Sequence, residues 1–306
     1  MTTTEASGER LFLDYCRSPE KFWPERAQRQ ARKINQRLRK LSVETGRGRD
    51  EVLTSLWSAA QQRSRTRRRT VHLANIGSSG SHWLEHMLVD GAGMLGAGEV
   101  YLPRVLHDDI RGLEGVDGAT FTDALHLLHA GGTSDDATAT VVHSMHSANP
   151  DVFLKADPGT LRVLLLRNPV DVCLSRVFRK GEYRQDVAPD ADDMAYLQQN
   201  IVTIKQFLTA AKEQVFDLVV RYENLLTDPL PVLGAVCALT GTPLDADRLE
   251  RTIQAQSAER LAGSSGARST NLFVGAAPTV PAQARRHAQE QLAALGGYFG
   301  YPVTDA

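Results

Sequence analysis

Nowhere in this sequence do apolar residues run on for the roughly 18 positions that a membrane-crossing helix needs. The N-terminus also lacks the apolar core of a secretory signal. Cysteine is scarce: Cys16, Cys173 and Cys237 are odd in number, far apart and without a CxxC pair. That pattern excludes a disulfide framework and a cysteine-built zinc ribbon, and it points to reduced thiols. There is no internal repeat and no long low-complexity tract. The expectation is a cytoplasmic enzyme of bacterial style that needs no membrane.

What remains is ample material for a folded core, with 306 residues of which 42% are hydrophobic and 23% charged. The net charge of −1 conceals an asymmetry. Residues 1–70 hold 17 Lys and Arg against 8 Asp and Glu, while the remainder holds 18 against 28. Ile34, Leu38 and Leu41 recur at helical spacing amid Arg and Gln, and Val52, Leu53, Leu56 and Trp57 form a second such pattern. These features predict a basic helical N-terminal extension over 1–69 and a main domain over 70–306. The extension could pack on the acidic body, cover a cleft or join a homodimer. A basic helical face is usually only solvated, so nucleic acid is not the expected partner.

The most informative stretch is residues 70–88, TVHLANIGSSGSHWLEHML. Val71, Leu73, Ala74 and Ile76 suit a buried parallel strand, and Gly77 and Gly80 permit a tight turn. Trp83, Leu84, Met87 and Leu88 then follow helical spacing, so the unpaired amides of the first helical turn face the loop. A helix N-terminus with Ser78, Ser79 and Ser81 around it is suited to a phosphate or sulfate.

A second strand-to-helix passage covers residues 161–179, LRVLLLRNPVDVCLSRVFR. Pro169 stands where a helix begins, and Arg167 at the C-terminal end of the strand, where open α/β sheets bind ligands. Its guanidinium can fork onto a phosphate, and Ser175, two helical turns on, can add a hydroxyl. The alternative for Arg167 is an ion pair with a carboxylate such as Asp171.

These motifs resemble the sulfotransferases that use 3′-phosphoadenosine 5′-phosphosulfate (PAPS). Their phosphosulfate loop reads approximately Lys-Ser-Gly-Thr-Thr-Trp-Leu, against Ser78-Ser79-Gly80-Ser81-His82-Trp83-Leu84 here. Their second motif, Arg-Asn-Pro-x-Asp-Val-x-x-Ser, is met at every specified position from Arg167 to Ser175. A third echo, from Val219 through Tyr222, Glu223 and Asn224 to Leu225, is similar to the family's strand-ending segment near the nucleotide. The resemblance implies an α/β fold of three layers, α/β/α, with a central parallel sheet, the P-loop-like sulfotransferase fold, here behind the N-terminal helical extension. It further implies that Ser78, Ser79, Gly80, Ser81, His82 and Trp83 hold the phosphosulfate, that Arg167 and Ser175 hold the 3′-phosphate, and that Tyr222 lies beside the nucleotide. The product would be adenosine 3′,5′-bisphosphate (PAP). The acceptor would be a hydroxyl or amine of a small molecule or carbohydrate, with no metal required.

Two departures stand out. The family's loop Lys, which meets the charge building on the departing phosphate oxygen, is replaced by Ser78, and a hydroxyl cannot supply that charge. Lys155, Arg179, Lys180 and His82 are the candidate substitutes. The family's C-terminal nucleotide segment is matched only loosely, by Arg268 and residues 271–275.

Transfer also needs a base, and histidine suits it. The family's base follows the strand ahead of the Arg-Asn-Pro motif. Residues 138–142 read as that strand, which makes His143 the favoured base and His146 the alternative.

Downstream, helices are expected over 192–214, 229–239, 245–258 and 282–295, with a strand over 216–222. Residues 91–132 show weak patterning, and 263–281 read as a loop able to close over the nucleotide. Residues 91–96 spell GxGxxG, but after a helix rather than a strand, so they read as a helix-ending turn. His82-Trp83-Leu84-Glu85-His86 spells HxxEH, the motif of a zinc hydrolase, which would still need a third ligand. A P-loop kinase is excluded by the missing Gly-Lys-Ser/Thr ending. A nucleotide-binding protein without catalysis is the other alternative, because of Ser78.

Overall fold

The computed structural model describes residues 8–66, 70–113, 115–132, 139–148, 150–178, 188, 190–256 and 279–302. Among them the chain runs through α1 (Gly8–Arg17), α2 (Gln28–Thr45), α3 (Arg49–Thr66), β1 (Thr70–Asn75), α4 (Ser81–Ala92), β2 (Leu95–Glu99), α5 (His107–Arg111) and α6 (Val116–Ala130). It continues through β3 (Val141–Met145), α7 (Asp151–Ala156), β4 (Leu161–Leu166), α8 (Pro169–Phe178) and α9 (Asp193–Lys212). The last elements are β5 (Leu218–Arg221), α10 (Tyr222–Thr227), α11 (Pro229–Thr240), α12 (Ala246–Ala255) and α13 (Ala282–Tyr298).

The strands form a five-stranded parallel sheet, in the order β2-β3-β1-β4-β5, flanked by helices. The largely apolar run of β4 suits its place inside the sheet, since a parallel strand covered on both faces has no use for polar alternation; β1 alternates Val71, Leu73 and Ala74 with buried polar residues. All six β1 positions are buried, as are five of the six in β4. No helix of the described residues is long and apolar enough to cross a membrane.

The chain divides into two compact units. The first comprises residues 1–72, 93–145 and 150–161. The N-terminal helices pack within this unit. Phe12, Ile34, Leu38, Leu53 and Trp57 share one apolar cluster with Phe121, Leu125 and Leu128 of α6. Residues 91–132, weak in pattern, supply β2 and the almost wholly buried α6. A helix buried all round shows no amphipathic stripe, which is why its periodicity was not legible. The second unit comprises residues 73–92, 146–149 and 162–306. In it α8, α9 and α13 pack together around Val172, Leu197, Ile201, Ile204 and Leu292.

The first unit also buries polar groups. Arg63, with no exposed surface, pairs with Asp123 at 3.3 Å, and Thr70 Oγ1 donates to the same carboxylate at 3.1 Å. His126 stacks on His143 with ring centroids 4.2 Å apart, and His72 lies 4.9 Å from His143. No ring nitrogen of His126 or His143 has a hydrogen-bond partner among the described residues. Burial holds the proton affinity of both rings well below the ordinary histidine value, and it lowers His129 to about 4, helped by Arg37 and Lys33.

These groups set the acid response of the fold. The unfolded chain protonates its imidazoles near pH 6.5, whereas the folded chain resists, so stability falls as pH drops from 6.5 towards 4. His129 alone contributes on the order of 3 kcal/mol to that fall. Asp123 works oppositely: burial raises its pKa from 3.8 to about 6, so its contribution declines as pH rises between those values. Urea unfolding at pH 7, 6 and 5 should show the net loss towards acid, and Asp123→Asn should steepen it.

Candidate functional site

All three sequence motifs meet in the second unit. Ile76 and Gly77 carry the chain from β1 into the loop, and α4 opens at Ser81. The hydrogen bond from Leu84 N to Gly80 O, 3.0 Å, begins the helical ladder, and the amides before it face the turn. Gly80 has φ +90°, which only glycine adopts freely. Ser78 has φ +77° without being glycine, a strained geometry of the kind that collects at ligand-binding loops. The hydroxyls of Ser78 and Ser79 are buried with no partner among the described residues. Burying two hydroxyls unsatisfied is costly, and an anion seated in the loop would accept from them.

Arg167 secures this loop from β4. Its Nη1 donates to Ser78 O at 2.9 Å, and its guanidinium lies 4.5 Å from the Tyr222 ring centre. An ion pair with Asp171 is not what orients it. Tyr222 in turn lies under Gly80, where an added Cβ would fall 2.5 Å from its ring, and it meets Trp83 edge-on at 6.3 Å. Trp83 Nε1 donates to Gln256 O at 3.2 Å. Glu223 accepts from Asn168 N at 2.8 Å and from the Tyr301 hydroxyl at 3.0 Å, joining the second and third motifs. Ser175 stands half-buried on α8. Ser81 is buried and His82 half-buried in the first turn of α4.

The two candidate bases occupy different surroundings. The strand expected over 138–142 is β3, Val141–Met145, so His143 lies within the strand and not after it. It pairs with Gly98 of β2 and is fully buried in the histidine cluster of the first unit. His146 is the histidine that directly follows the strand. It is exposed, and its Cε1 and Nε2 come within 3.0 and 3.2 Å of where a Cβ on Gly77 would stand.

Beside His146 is a residue that the sequence reading missed. Arg176 Nη1 lies 2.9 Å from the same point on Gly77 and 3.4 Å from Gly77 O, while its Nε donates to Asn200 Oδ1 at 2.6 Å. The available signal was its place, one residue beyond Ser175 in the second motif. Of the candidate cations, Lys155 is exposed on α7 in the first unit. Arg179, Lys180, Arg268 and residues 271–275 lie outside the described residues, as does most of the 263–281 loop.

The decoys resolve locally. Gly93 takes φ +67° just past α4, as a helix-ending turn requires. His82 and His86 share α4 with Glu85, but among the described residues no group of three or more His, Cys, Asp or Glu is arranged to hold a metal.

Residues 119–246 match the model of the sulfotransferase family. No curated protein matches the chain significantly. Among solved structures, the fold is similar to that of mouse sulfotransferase SULT7A1 complexed with PAP, at TM-score 0.52 and 12% identity over 74% of this chain and 84% of that one. It is also similar to sulfotransferase STF9 from Mycobacterium avium, at TM-score 0.50 and 13% identity over 96% of this chain and 91% of that one. The likeness is one of fold.

If Gly80 serves the loop as described, Gly80→Ala combines an unfavourable φ with a clash on Tyr222. Thermal unfolding should show a loss of about 1–3 kcal/mol. An unchanged melting temperature would mean that the Tyr222 ring is not held beneath the loop.

Proposed function

We propose that this chain, whose residues 119–246 match the sulfotransferase family model and whose fold is similar to that of sulfotransferases, is itself a sulfotransferase that takes its sulfuryl group from PAPS and delivers it to a hydroxyl or amine of a small-molecule or carbohydrate acceptor. The observation that carries the reading is the loop of residues 77–80: two orphaned serine hydroxyls beside a helix N-terminus, clamped by Arg167 of the Arg-Asn-Pro motif. This donor set fits a phosphosulfate, because every group in it donates hydrogen bonds or carries positive charge.

In this reading Ser78, Ser79, Gly80, Ser81, His82 and Trp83 would hold the 5′-phosphosulfate. Arg167 and Ser175 would hold the 3′-phosphate, with Tyr222 packed beside the nucleotide. Arg268 stays a candidate for the same nucleotide from its own segment. When bound, PAPS supplies an activated sulfuryl group whose bond to a phosphate oxygen breaks as a bond from sulfur to the acceptor oxygen or nitrogen forms.

The chain's part is to position, to accept a proton and to stabilise charge. His146 is the better base, because its imidazole is exposed beside Gly77 whereas both His143 nitrogens are enclosed. His146 Nε2 would take the acceptor's proton as the new bond forms. His143, buried and resistant to protonation, serves the core of its own unit.

Calorimetric titration with PAP tests the nucleotide site. Arg167→Ala should weaken binding about 10- to 100-fold, the worth of a charged hydrogen-bonding partner. Equal affinity in wild type and variant would remove the reading. For the chemistry, His146→Ala should keep PAP affinity while transfer from PAPS to an acceptor falls about 10²- to 10⁴-fold. Loss of transfer in a folded His143→Leu protein, with His146→Ala still active, would return the base to His143.

A further inference from the structure

The loop has one chemical deficit. As the sulfuryl group leaves, negative charge accumulates on the phosphate oxygen it departs from, and the serine at position 78 brings no positive charge to that oxygen. A cation must therefore reach the loop from another element, already oriented, since reorganising it during transfer would forfeit much of its value.

Arg176 meets both conditions. It extends from α8 to the floor of the loop, with Nη1 3.4 Å from Gly77 O. Its other side is anchored, because Nε donates to Asn200 Oδ1 at 2.6 Å. Asn200 is itself buried on α9 and fixed by donating from Nδ2 to Tyr196 O at 2.8 Å. The arrangement also explains why position 77 is glycine: any side chain there would meet Arg176 Nη1 at 2.9 Å and His146 Cε1 at 3.0 Å. Arg176 and His146 thus flank the same residue, one a fixed positive charge and the other an exposed imidazole.

We propose that Arg176 replaces the missing loop lysine: its guanidinium, oriented by Asn200, faces the 5′-phosphate side of the nucleotide and stabilises the oxygen from which sulfur departs. This rests on the PAPS reading above. It assigns Arg176 to the 5′ end, as distinct from Arg167 and Ser175 at the 3′-phosphate. A guanidinium suits the place because its planar fork offers separate nitrogens to Asn200 and to a phosphate oxygen, whereas lysine has a single nitrogen.

The test compares two ligands by calorimetry, PAP and adenosine 3′-monophosphate, which lacks the 5′-phosphate. Wild type should bind PAP more tightly. Arg176→Gln should weaken PAP binding about 10- to 100-fold and leave the monophosphate affinity within about twofold, which also shows that the variant is folded. Arg176→Lys, which keeps the charge but loses the fork, should fall between. An unchanged ratio of the two affinities in Arg176→Gln, or an equal loss for both ligands, would overturn the assignment of Arg176 while leaving the nucleotide site in place. Wild type binding neither ligand would overturn the PAPS reading and this assignment with it.

Discussion

Everything in the candidate site depends on how the glycine-and-serine loop after β1 is held. A turn with φ +77° at a serine and +90° at a glycine does not persist on its own preferences, because the serine conformation is strained. Arg167 fixes it from outside by donating to the Ser78 carbonyl, and the Tyr222 ring fills the space that Gly80 leaves open. The same arginine lies over the same tyrosine, so the loop, the end of β4 and the start of α10 form one connected contact. Glu223 extends it, tying the Asn168 amide to the Tyr301 hydroxyl near the C-terminus of the described chain. Three short motifs, far apart in sequence, are in this way parts of one support.

The support accounts for what each residue type contributes. Glycine at 77 and 80 provides close approach, by Arg176 and His146 at the first and by Tyr222 at the second. Among the described residues the hydroxyls of Ser78 and Ser79 have no partner, which is costly in an interior and useful where an anion is to be received. Positive charge comes from side chains anchored by other polar groups, Arg176 on Asn200 and Arg167 on the loop carbonyl. The first unit uses polar burial differently. There the Arg63–Asp123 pair and the stacked imidazoles sit among apolar residues, and burial opposes the protonation of the imidazoles. Such groups make that unit sensitive to acid without giving it an accessible base.

Much of the α/β order was legible because the signals are local. Apolar residues marked β1 and β4, Pro169 marked the start of α8, and α9, α11, α12 and α13 were placed within a few residues of their observed bounds, whereas the short α10 was not foreseen. Position α6 shows where such signals fail. A helix covered on every side carries no stripe, so Phe121, Leu125 and Leu128 looked irregular although they lie at the centre of the first unit. The N-terminal helices find their apolar partners in this same helix, a pairing that no local spacing records.

Sequence by itself determined the chemistry on offer: a strand, an anion-binding turn and a helix, an arginine at a strand end with a serine two helical turns on, and no lysine in the loop. These follow from local spacing and from the hydrogen-bonding capacity of each side chain. Only the tertiary structure decided which side chains surround the loop. A shift of three residues in β3 buried His143 and left His146 exposed beside Gly77, since a residue inside a covered strand is enclosed and the residue after it is not. Arg176 reached the loop for an equally non-local reason. Its direction is set by Asn200 on another helix, a contact that no spacing along the chain records.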